Sequence, residues 1–236
     1  MIIAHRGIHN NIDIPENSIK AFELAKSKNY AIELDIHLTL DNELVVFHDD
    51  NLKRMTGIDK NVDECTYLEL SKIKLLNTNC TIPSLDMVLD LINGDVLIDI
   101  EIKNTKRIDD ICNILLAKLS KYSGNVMIKS FNPFIVKKVK SLTKSYKTGL
   151  LITDNYNNYL YNFLNKFNLF IKICRPDFIA INKKLLNKKY YRNKCNKYET
   201  FIWTVKNLDE IDSYSKFKAL SFICNNIPID NKKNIK

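Results

Sequence analysis

Eight short runs of strand-forming residues recur along this chain of 236 residues, and segments with helix-compatible spacing separate them. The strand candidates are residues 2–5, 31–37, 96–103, 126–131, 148–152, 177–182, 200–205 and 219–224. The helical segments are residues 17–28, 84–93, 107–121, 133–144, 156–172, 183–195 and 207–216. Strict alternation of strands and helices predicts a parallel sheet. Eight such repeats predict a closed (β/α)8 TIM barrel that forms a single domain over residues 1–236.

The connection between the second and third of these strands is longer than the others. It contains a further strand candidate at residues 43–50 and a short helical pattern at residues 66–75. Residues 38–83 are too few for a core of their own. We therefore expect a small insertion after strand 2, here called the excursion (residues 38–83), at the mouth of the barrel.

The composition limits the classes of function. The chain is 45% hydrophobic and 27% charged, which is typical of a globular protein. Its net charge of +9 is compatible with nucleic acid, a membrane surface or an anionic substrate. The lysines are scattered, however, and the sequence contains neither a basic stripe nor a stacking platform. We therefore expect a small anionic molecule as the partner and no nucleic acid.

The six cysteines and the start of the chain bear on the compartment. None of the cysteines forms a C-x-x-C pair or a zinc-binding spacing, so we expect reduced thiols. The first strand candidate follows Met1 directly, with no cleavable apolar segment. No apolar run approaches the ~20 residues of a membrane span. We expect a cytoplasmic protein without stable membrane insertion, and the sequence indicates no particular oligomeric state.

Acidic residues lie on the inward faces of two neighbouring strands. Because side chains alternate along a barrel strand, Glu33 and Asp35 face inward from the second strand and Glu101 from the third. Buried carboxylates are costly unless they are paired or bind a metal. Oxygen ligands alone favour a hard cation, and we expect one Mg²⁺ or Ca²⁺. A salt-bridge network with Arg6 and Lys103 is the alternative.

Two histidines lie at the rim of the same cluster. His5 ends the first strand, and His48 ends the strand candidate of the excursion. Beside a metal, two imidazoles can act as general acid and general base. Arg6 can bind phosphate oxygens through two hydrogen bonds, and Lys103 adds a point charge. This set of groups fits the cleavage of a phosphodiester.

These residues belong to a series of motifs that resembles the glycerophosphodiester phosphodiesterase family. The matching segments are AHRG (4–7), PENS (15–18), ELD (33–35), LTLDNELVVFHDDNLKRMTG (38–57), IPSLDMVL (82–89), IEIK (100–103), SFNP (130–133) and WTVKN (203–207). The resemblance implies a metal-dependent barrel that hydrolyses glycerophosphodiesters to sn-glycerol 3-phosphate and an alcohol. It implies metal ligation by Glu33, Asp35 and Glu101, and acid–base catalysis by His5 and His48.

The resemblance also implies substrate contacts. Arg6 and Lys103 would bind the phosphate, and Glu16 would orient catalytic groups or touch the substrate. Trp203 would pack on the glycerol or the leaving group, with a position in the core as the alternative. Lys129 stands where the family more often has a small or neutral residue, and it would add a cation near the mouth.

Some features keep more than one interpretation. His9 and His37 lie outside the core motifs, and each is either a substrate contact or a polar rim residue. ICNNIP at residues 223–228 replaces a family segment that often carries an acidic residue before the proline. The sequence does not distinguish the base histidine from the acid, nor attack by water from formation of a cyclic phosphate.

Two other functions are compatible with the same residues. The enzyme would be lysophospholipase D-like or phospholipase C-like if its substrate were a lipid. The aromatic run at residues 156–170 would then dock on lipid if exposed, although an outer helix with an apolar stripe explains it more simply. A barrel that only binds phosphate-bearing ligands would have lost a histidine or a metal ligand, and none is lost.

Overall fold

Eight parallel strands close into a barrel in the computed structural model, which describes residues 1–153, 168–214, 217, 219 and 221–229. The strands are β1 (Ile2–His5), β2 (Ala31–Leu38), β3 (Leu44–Val46), β4 (Ile98–Ile102), β5 (Val126–Ser130), β6 (Lys147–Ile152), β7 (Phe178–Asn182), β8 (Glu199–Asn207) and β9 (Ser221–Asn226). Strand β1 pairs with both β2 and β9 and so closes the barrel. Strand β3 pairs antiparallel with β2 outside the ring. The predicted TIM barrel is confirmed.

Helices cover the outside of the barrel. The described α-helices are α1 (Ile19–Ser27), α2 (Lys53–Thr56), α3 (Tyr67–Leu70), α4 (Leu85–Ile92), α5 (Ile108–Leu119), α6 (Pro133–Leu142), α7 (Leu169–Cys174) and α8 (Lys189–Cys195). Three 3-10 helices lie at Val62–Glu64, Lys183–Asn187 and Leu208–Tyr214. Ser18, Ser84 and Asn132 begin α1, α4 and α6, because each side-chain oxygen accepts a backbone N–H of the first turn. None of the helices described is long and apolar enough to cross a membrane.

Two predicted helices are wound differently in the structure. Residues 183–195 divide into a 3-10 helix and α8, because Lys188 between them adopts an extended backbone conformation. The described part of the segment predicted helical over 207–216 is a 3-10 helix. Its start is a tight turn in which Asn207 accepts the backbone N–H of Glu210.

Two further segments were predicted to be helical, and the structure describes only a short helix in each of them. Residues 66–75 contain a single α-helical turn, α3, because Lys74 forms an isolated β-bridge with Thr81 and so leaves the helix. The predicted helix over residues 156–172, with its aromatic run at 156–170, lies mostly outside the described residues. Helix α7 represents the part of it that is described.

The excursion packs against the barrel through β3, which continues the sheet beyond β2. Its apolar side chains form a cluster of their own, composed of Val45, Phe47, Leu52, Met55, Val62, Cys65, Leu70, Leu75 and Ile82. The segment therefore has a small apolar cluster where its length predicted none. This cluster holds α2 and the residues that follow β3 in place beside the barrel.

Two kinds of side chain fill the interior of the barrel. The apolar set consists of Ile3, Ala31, Met127, Leu151, Phe178, Ala180, Phe201 and Ile223. The charged set comes from the adjacent strands β2, β4 and β5 and consists of Glu33, Asp35, Asp99, Glu101 and Lys129, all buried. One side of the barrel interior is therefore charged, and its stability depends on how these charges are paired.

Lys129 is enclosed among the inward carboxylates. Its Nζ donates to Oδ2 of Asp99 at 2.6 Å and to Oε1 of Glu33 at 3.1 Å. Burial opposes its charge, but the carboxylates of Asp99 and Glu33 raise the pKa of Lys129 above its ordinary value. The sequence placed this lysine near the mouth, and that prediction is wrong: its side chain is 1% exposed and serves as an internal cation.

Gly149 in β6 leaves room for an aromatic ring inside the barrel. A Cβ atom at this position would lie 2.2 Å from Cε2 of Phe178. The Phe178 ring stacks on Phe201, with 4.4 Å between the ring centroids. The packing of the apolar set therefore requires a glycine in β6.

We expect Gly149→Ala to lower the free energy of unfolding by about 1–3 kcal/mol, because the added methyl group displaces the Phe178 ring. Urea unfolding followed by circular dichroism measures the change. The double variant Gly149→Ala/Phe178→Leu is the control, since loss of the ring atoms should recover part of the difference. Equal stability of Gly149→Ala and the parent protein would contradict this packing argument.

We expect Lys129→Met to lower the free energy of unfolding by about 3 kcal/mol or more, because Asp99 and Glu33 then remain buried without their cation. The measurement is urea unfolding in buffer that contains EDTA. Adding Asp99→Asn to the same chain should recover part of the loss, since it removes one of the two unpaired charges. The pairing is wrong if Lys129→Met is as stable as the parent.

Candidate active site

The predicted site residues meet at the carboxyl ends of β1, β2 and β4. His5 is the last residue of β1, Glu33 and Asp35 lie in β2, and Glu101 lies in β4. The strand register places His5 opposite Glu33 and Asp35 opposite Glu101. Parallel pairing of neighbouring strands therefore brings all four side chains to one place.

Glu33, Asp35 and Glu101 form a compact group, here called the carboxylate triad. Each residue offers one carboxylate oxygen, and these oxygens lie within 4.8 Å of one another. All three residues are buried. An all-oxygen donor set of this kind fits a hard divalent cation such as Mg²⁺ or Ca²⁺. The triad can therefore hold the metal ion that the sequence predicts.

Lys103 and Arg6 place positive charge beside the triad. Lys103 Nζ donates to Oε1 of Glu101 at 2.8 Å and to Oδ1 of Asp35 at 3.3 Å. The Nε of Arg6 lies 3.5 Å from Oδ2 of Asp35. Although burial favours the neutral acid, Lys103 and Arg6 hold the pKa of Asp35 well below its ordinary range. Both cations that the sequence assigned to phosphate binding thus lie next to the candidate metal ligands.

A tight turn directly after β1 positions Arg6. Arg6 and Gly7 both adopt left-handed backbone conformations, with φ of 57° and 79°. A Cβ on Gly7 would also lie 2.8 Å from backbone atoms of Ala21 in α1, so this position requires glycine. The turn directs the backbone N–H of Arg6 to Oε2 of Glu33, at 3.0 Å. The His-Arg-Gly sequence therefore has a backbone role as well as a chemical one.

His5 lies between the triad and strand β9. Its Nδ1 is hydrogen-bonded to Oδ1 of Asn225 at 2.5 Å, and its Nε2 lies 3.9 Å from Oε2 of Glu33. Burial, together with the charge of Arg6, lowers the pKa of His5 to about 3. His5 is therefore neutral at physiological pH in the metal-free protein.

His48 is held by a carboxylate of the excursion. Its Nδ1 is hydrogen-bonded to Oδ1 of Asp49 at 2.6 Å. The other oxygen of Asp49 accepts a hydrogen bond from Nε of Arg54 at 2.5 Å, and Nη2 of Arg54 donates to Oε1 of Glu16 at 2.6 Å. Arg54 in α2 therefore links the orientation of His48 to the first loop of the barrel.

Glu16 connects the first loop to two arginines. Its Oε1 accepts hydrogen bonds from Arg54 and, at 2.7 Å, from Nη1 of Arg6, while Asn11 donates to its Oε2 at 2.9 Å. Burial opposes its ionisation, but the hydrogen bond from Arg54 and the charge of Arg6 lower the pKa of Glu16 to about 2. Glu16 is therefore ionised at neutral pH and holds the side chain of Arg6 in place.

Trp203 in β8 lies inside the barrel and is partly exposed. Its Nε1 donates to the backbone oxygen of Ala180 at 2.8 Å. Its ring forms a T-shaped pair with Phe131, with 5.5 Å between the centroids. The hydrogen bond and the ring contact fix the Trp203 side chain within the apolar part of the barrel interior.

The other two histidines differ in their surroundings. His37 is buried, and its Nε2 is hydrogen-bonded to the backbone oxygen of His48 at 3.3 Å. It therefore supports the position of His48 from β2. His9 is half-buried near Glu16 and Arg6, and burial lowers its pKa.

Several residues of the site were not predicted from the sequence as participants. Asn17 donates to Oδ2 of Asp35 at 2.9 Å, and Asp49, Arg54 and Asn225 make the contacts described above. Asp49 and Arg54 lie within the longest motif of the family resemblance. Asn225 could have been found from strand alternation, because it lies two residues beyond the inward-facing Ile223.

A family model described as the glycerophosphoryl diester phosphodiesterase family matches residues 5–228. The protein YhdW of Bacillus subtilis (strain 168) is 31% identical over 216 residues, which cover 87% of this chain and 86% of YhdW. Human lysophospholipase D GDPD1 is 44% identical over 70 residues, which cover 29% of this chain and 21% of the human protein. The first match spans nearly the whole barrel, whereas the human match is local.

Solved structures share the fold at lower sequence identity. An Oleispira antarctica phosphodiesterase in complex with the product sn-glycerol-3-phosphate has a TM-score of 0.81 and 18% identity. The match covers 96% of this chain and 93% of that one. The fold and the family model agree, and the chain belongs to the glycerophosphoryl diester phosphodiesterase family, as a phosphodiesterase that acts on glycerophosphodiesters.

Proposed function

We propose that the protein hydrolyses a glycerophosphodiester to sn-glycerol 3-phosphate and an alcohol, with one Mg²⁺ or Ca²⁺ bound by the carboxylate triad. The main support for the proposal is the geometry of the triad. Its three buried carboxylate oxygens lie within 4.8 Å of one another, and the side chains of Arg6 and Lys103 lie beside them. The product bound to the Oleispira antarctica enzyme supports sn-glycerol 3-phosphate as the common product.

The metal and the two cations have complementary tasks. Bound by Glu33, Asp35 and Glu101, the divalent ion would polarise the phosphoryl group and neutralise its developing charge. Arg6 and Lys103 bind the remaining phosphate oxygens. Within the described part of the chain, the buried Nε of Arg6 makes no hydrogen bond, although it lies 3.5 Å from Oδ2 of Asp35. A phosphate oxygen would supply the missing acceptor.

His5 and His48 carry out the proton transfers. One imidazole takes the proton of the attacking hydroxyl, and the other protonates the alcohol that leaves. Each ring is held at Nδ1, by Asn225 and by Asp49 respectively, which leaves each Nε2 for the reaction. Glu16 keeps Arg6 in position, and the ring of Trp203 packs on the glycerol or on the leaving group.

A lysophospholipid is the second candidate substrate. The local identity with human lysophospholipase D GDPD1 favours it, because hydrolysis at the same phosphodiester bond would release the head group from a lipid. The same triad and the same histidines would act, so the two candidates differ only in what the barrel mouth accepts.

A substrate panel tests the proposal. It consists of glycerophosphocholine, glycerophosphoethanolamine, glycerophosphoglycerol and lysophosphatidylcholine, each with Mg²⁺, with Ca²⁺ and with EDTA. We expect release of sn-glycerol 3-phosphate from the glycerophosphodiesters with metal and no turnover in EDTA. Turnover of lysophosphatidylcholine alone would favour the second candidate, and undiminished turnover in EDTA would refute the metal site.

Glu101→Gln provides the residue-level test of the triad in the same assay. Loss of one anionic ligand should raise the metal concentration for half-maximal activity by about tenfold or more. Glu23→Gln is the matched control, because it makes the same change at an exposed position of α1 and should leave the metal requirement unaltered. An unchanged requirement in Glu101→Gln would place the metal elsewhere.

We expect His5→Ala and His48→Ala each to lower kcat by about 10²–10⁴-fold, because each variant lacks one of the two proton-transfer groups. Steady-state kinetics on the best glycerophosphodiester of the panel measure the loss. Circular dichroism and the thermal midpoint of each variant show whether the barrel is intact. Full activity in either variant would show that the missing histidine transfers no proton.

A further inference from the structure

Asn225 at the end of β9 meets His5 inside the barrel. Strand β9 pairs with β1, with Ile223 opposite Ile3, and both of these side chains face inward. Asn225 lies two residues beyond Ile223 and therefore points to the same interior. Its Oδ1 contacts Nδ1 of His5 at 2.5 Å. The contact joins residues near the two ends of the described chain.

The chemistry of this contact determines where the His5 proton lies. An amide oxygen accepts a hydrogen bond and cannot donate one. With Oδ1 of Asn225 facing the ring, as in the structure, the contact places a proton on Nδ1 of His5. In a neutral imidazole only one nitrogen carries a proton, so Nε2 is left as an acceptor. Nε2 is also the ring atom nearer the carboxylate triad, 3.9 Å from Oε2 of Glu33.

His48, the second histidine of the site, has a charged hydrogen-bond partner, whereas the partner of His5 is neutral. Nδ1 of His48 contacts the carboxylate of Asp49, whereas Nδ1 of His5 contacts an amide. An amide positions the ring without adding charge. This matters at His5, because the interior beside it already contains the buried carboxylates of the triad and of Asp99. A further carboxylate at residue 225 would add to their mutual repulsion.

We propose that Asn225 is a positioning residue that fixes His5 in the Nδ1–H tautomer, with Nε2 directed at the reacting groups as the proton acceptor. The assignment rests on the proposed function where it makes His5 the general base. His48 is then the group that protonates the leaving alcohol. The position of the His5 proton itself does not depend on the reaction.

Nuclear magnetic resonance of the histidine rings tests the tautomer in the 236-residue chain without added metal. Long-range ¹H–¹⁵N correlations distinguish Nδ1–H from Nε2–H, and the His5→Gln variant assigns the His5 signals. We expect Nδ1–H in the parent protein, and a shift toward Nε2–H in Asn225→Leu, which lacks the acceptor. Asn225→Asp keeps an acceptor oxygen and should keep the proton on Nδ1.

Kinetics of the same variants test the positioning role. We expect kcat of Asn225→Leu to fall by on the order of tenfold to a hundredfold with KM little changed, because the base is misdirected while the phosphate contacts remain. Asn226→Leu is the matched control, since its exposed side chain lies outside the site and should leave both values unchanged. If Asn225→Leu does not fold, Asn225→Ala replaces it.

The outcomes separate this inference from the proposed function. A proton on Nε2 of His5 in the parent protein, or an unaltered tautomer and kcat in the folded Asn225→Leu or Asn225→Ala variant, would overturn the inference. A parent protein with Nδ1–H that shifts in the variant, but with no turnover of any glycerophosphodiester, would refute the proposed function and leave the positioning contact standing.

Discussion

Compensation of negative charge inside the barrel is the condition on which the rest of the structure depends. The register of β2 and β4 sets two pairs of carboxylates side by side, and one lysine bridges each pair. Lys129 bridges Glu33 and Asp99 in the enclosed interior. Lys103 bridges the pair nearer the carboxyl ends of the strands, where its side chain is 14% exposed. The enclosed lysine serves the fold, whereas the partly exposed one is the lysine that the proposed mechanism assigns to phosphate binding, so the proposal draws stability and chemistry from a single arrangement of strands.

The excursion completes the site because a second ionic network extends from it to the first loop. Arg54 belongs to a helix of four residues, which is too short to be stable alone. The apolar cluster of the excursion holds this helix against the barrel, and Arg54 then contacts both Asp49 and Glu16. His48 and Arg6 are in this way oriented by one shared set of charges. The placement of one catalytic candidate therefore depends on packing in a segment outside the eight-stranded ring.

The sequence alone was sufficient to predict those structural features that follow from a repeating local pattern. Alternation of strands and helices predicted the barrel, and the two-residue period of β2 and β4 predicted that Glu33, Asp35 and Glu101 share the interior. These inferences need only the direction of each side chain relative to its own strand. His48 was located as the end of the excursion's strand candidate, and the motif resemblance then added its expected role in acid–base catalysis. Helix type was less predictable at residues 183–195, because one extended residue, Lys188, changes the winding of the segment.

Features that depend on distant pairing or on a flexible side chain could not be predicted in the same way. The backbone of Lys129 lies level with Glu101, but its long side chain turns to Asp99 and Glu33 instead. Strand periodicity gives the inward direction of such a residue and not the depth that its ammonium group reaches. Asn225 meets His5 only because β9 closes the ring on β1, across 220 positions of sequence. Strand alternation gives the inward direction of Asn225, but only barrel closure makes it the partner of a catalytic candidate, so the tautomer proposed for His5 depends on the fold and not on its local sequence alone.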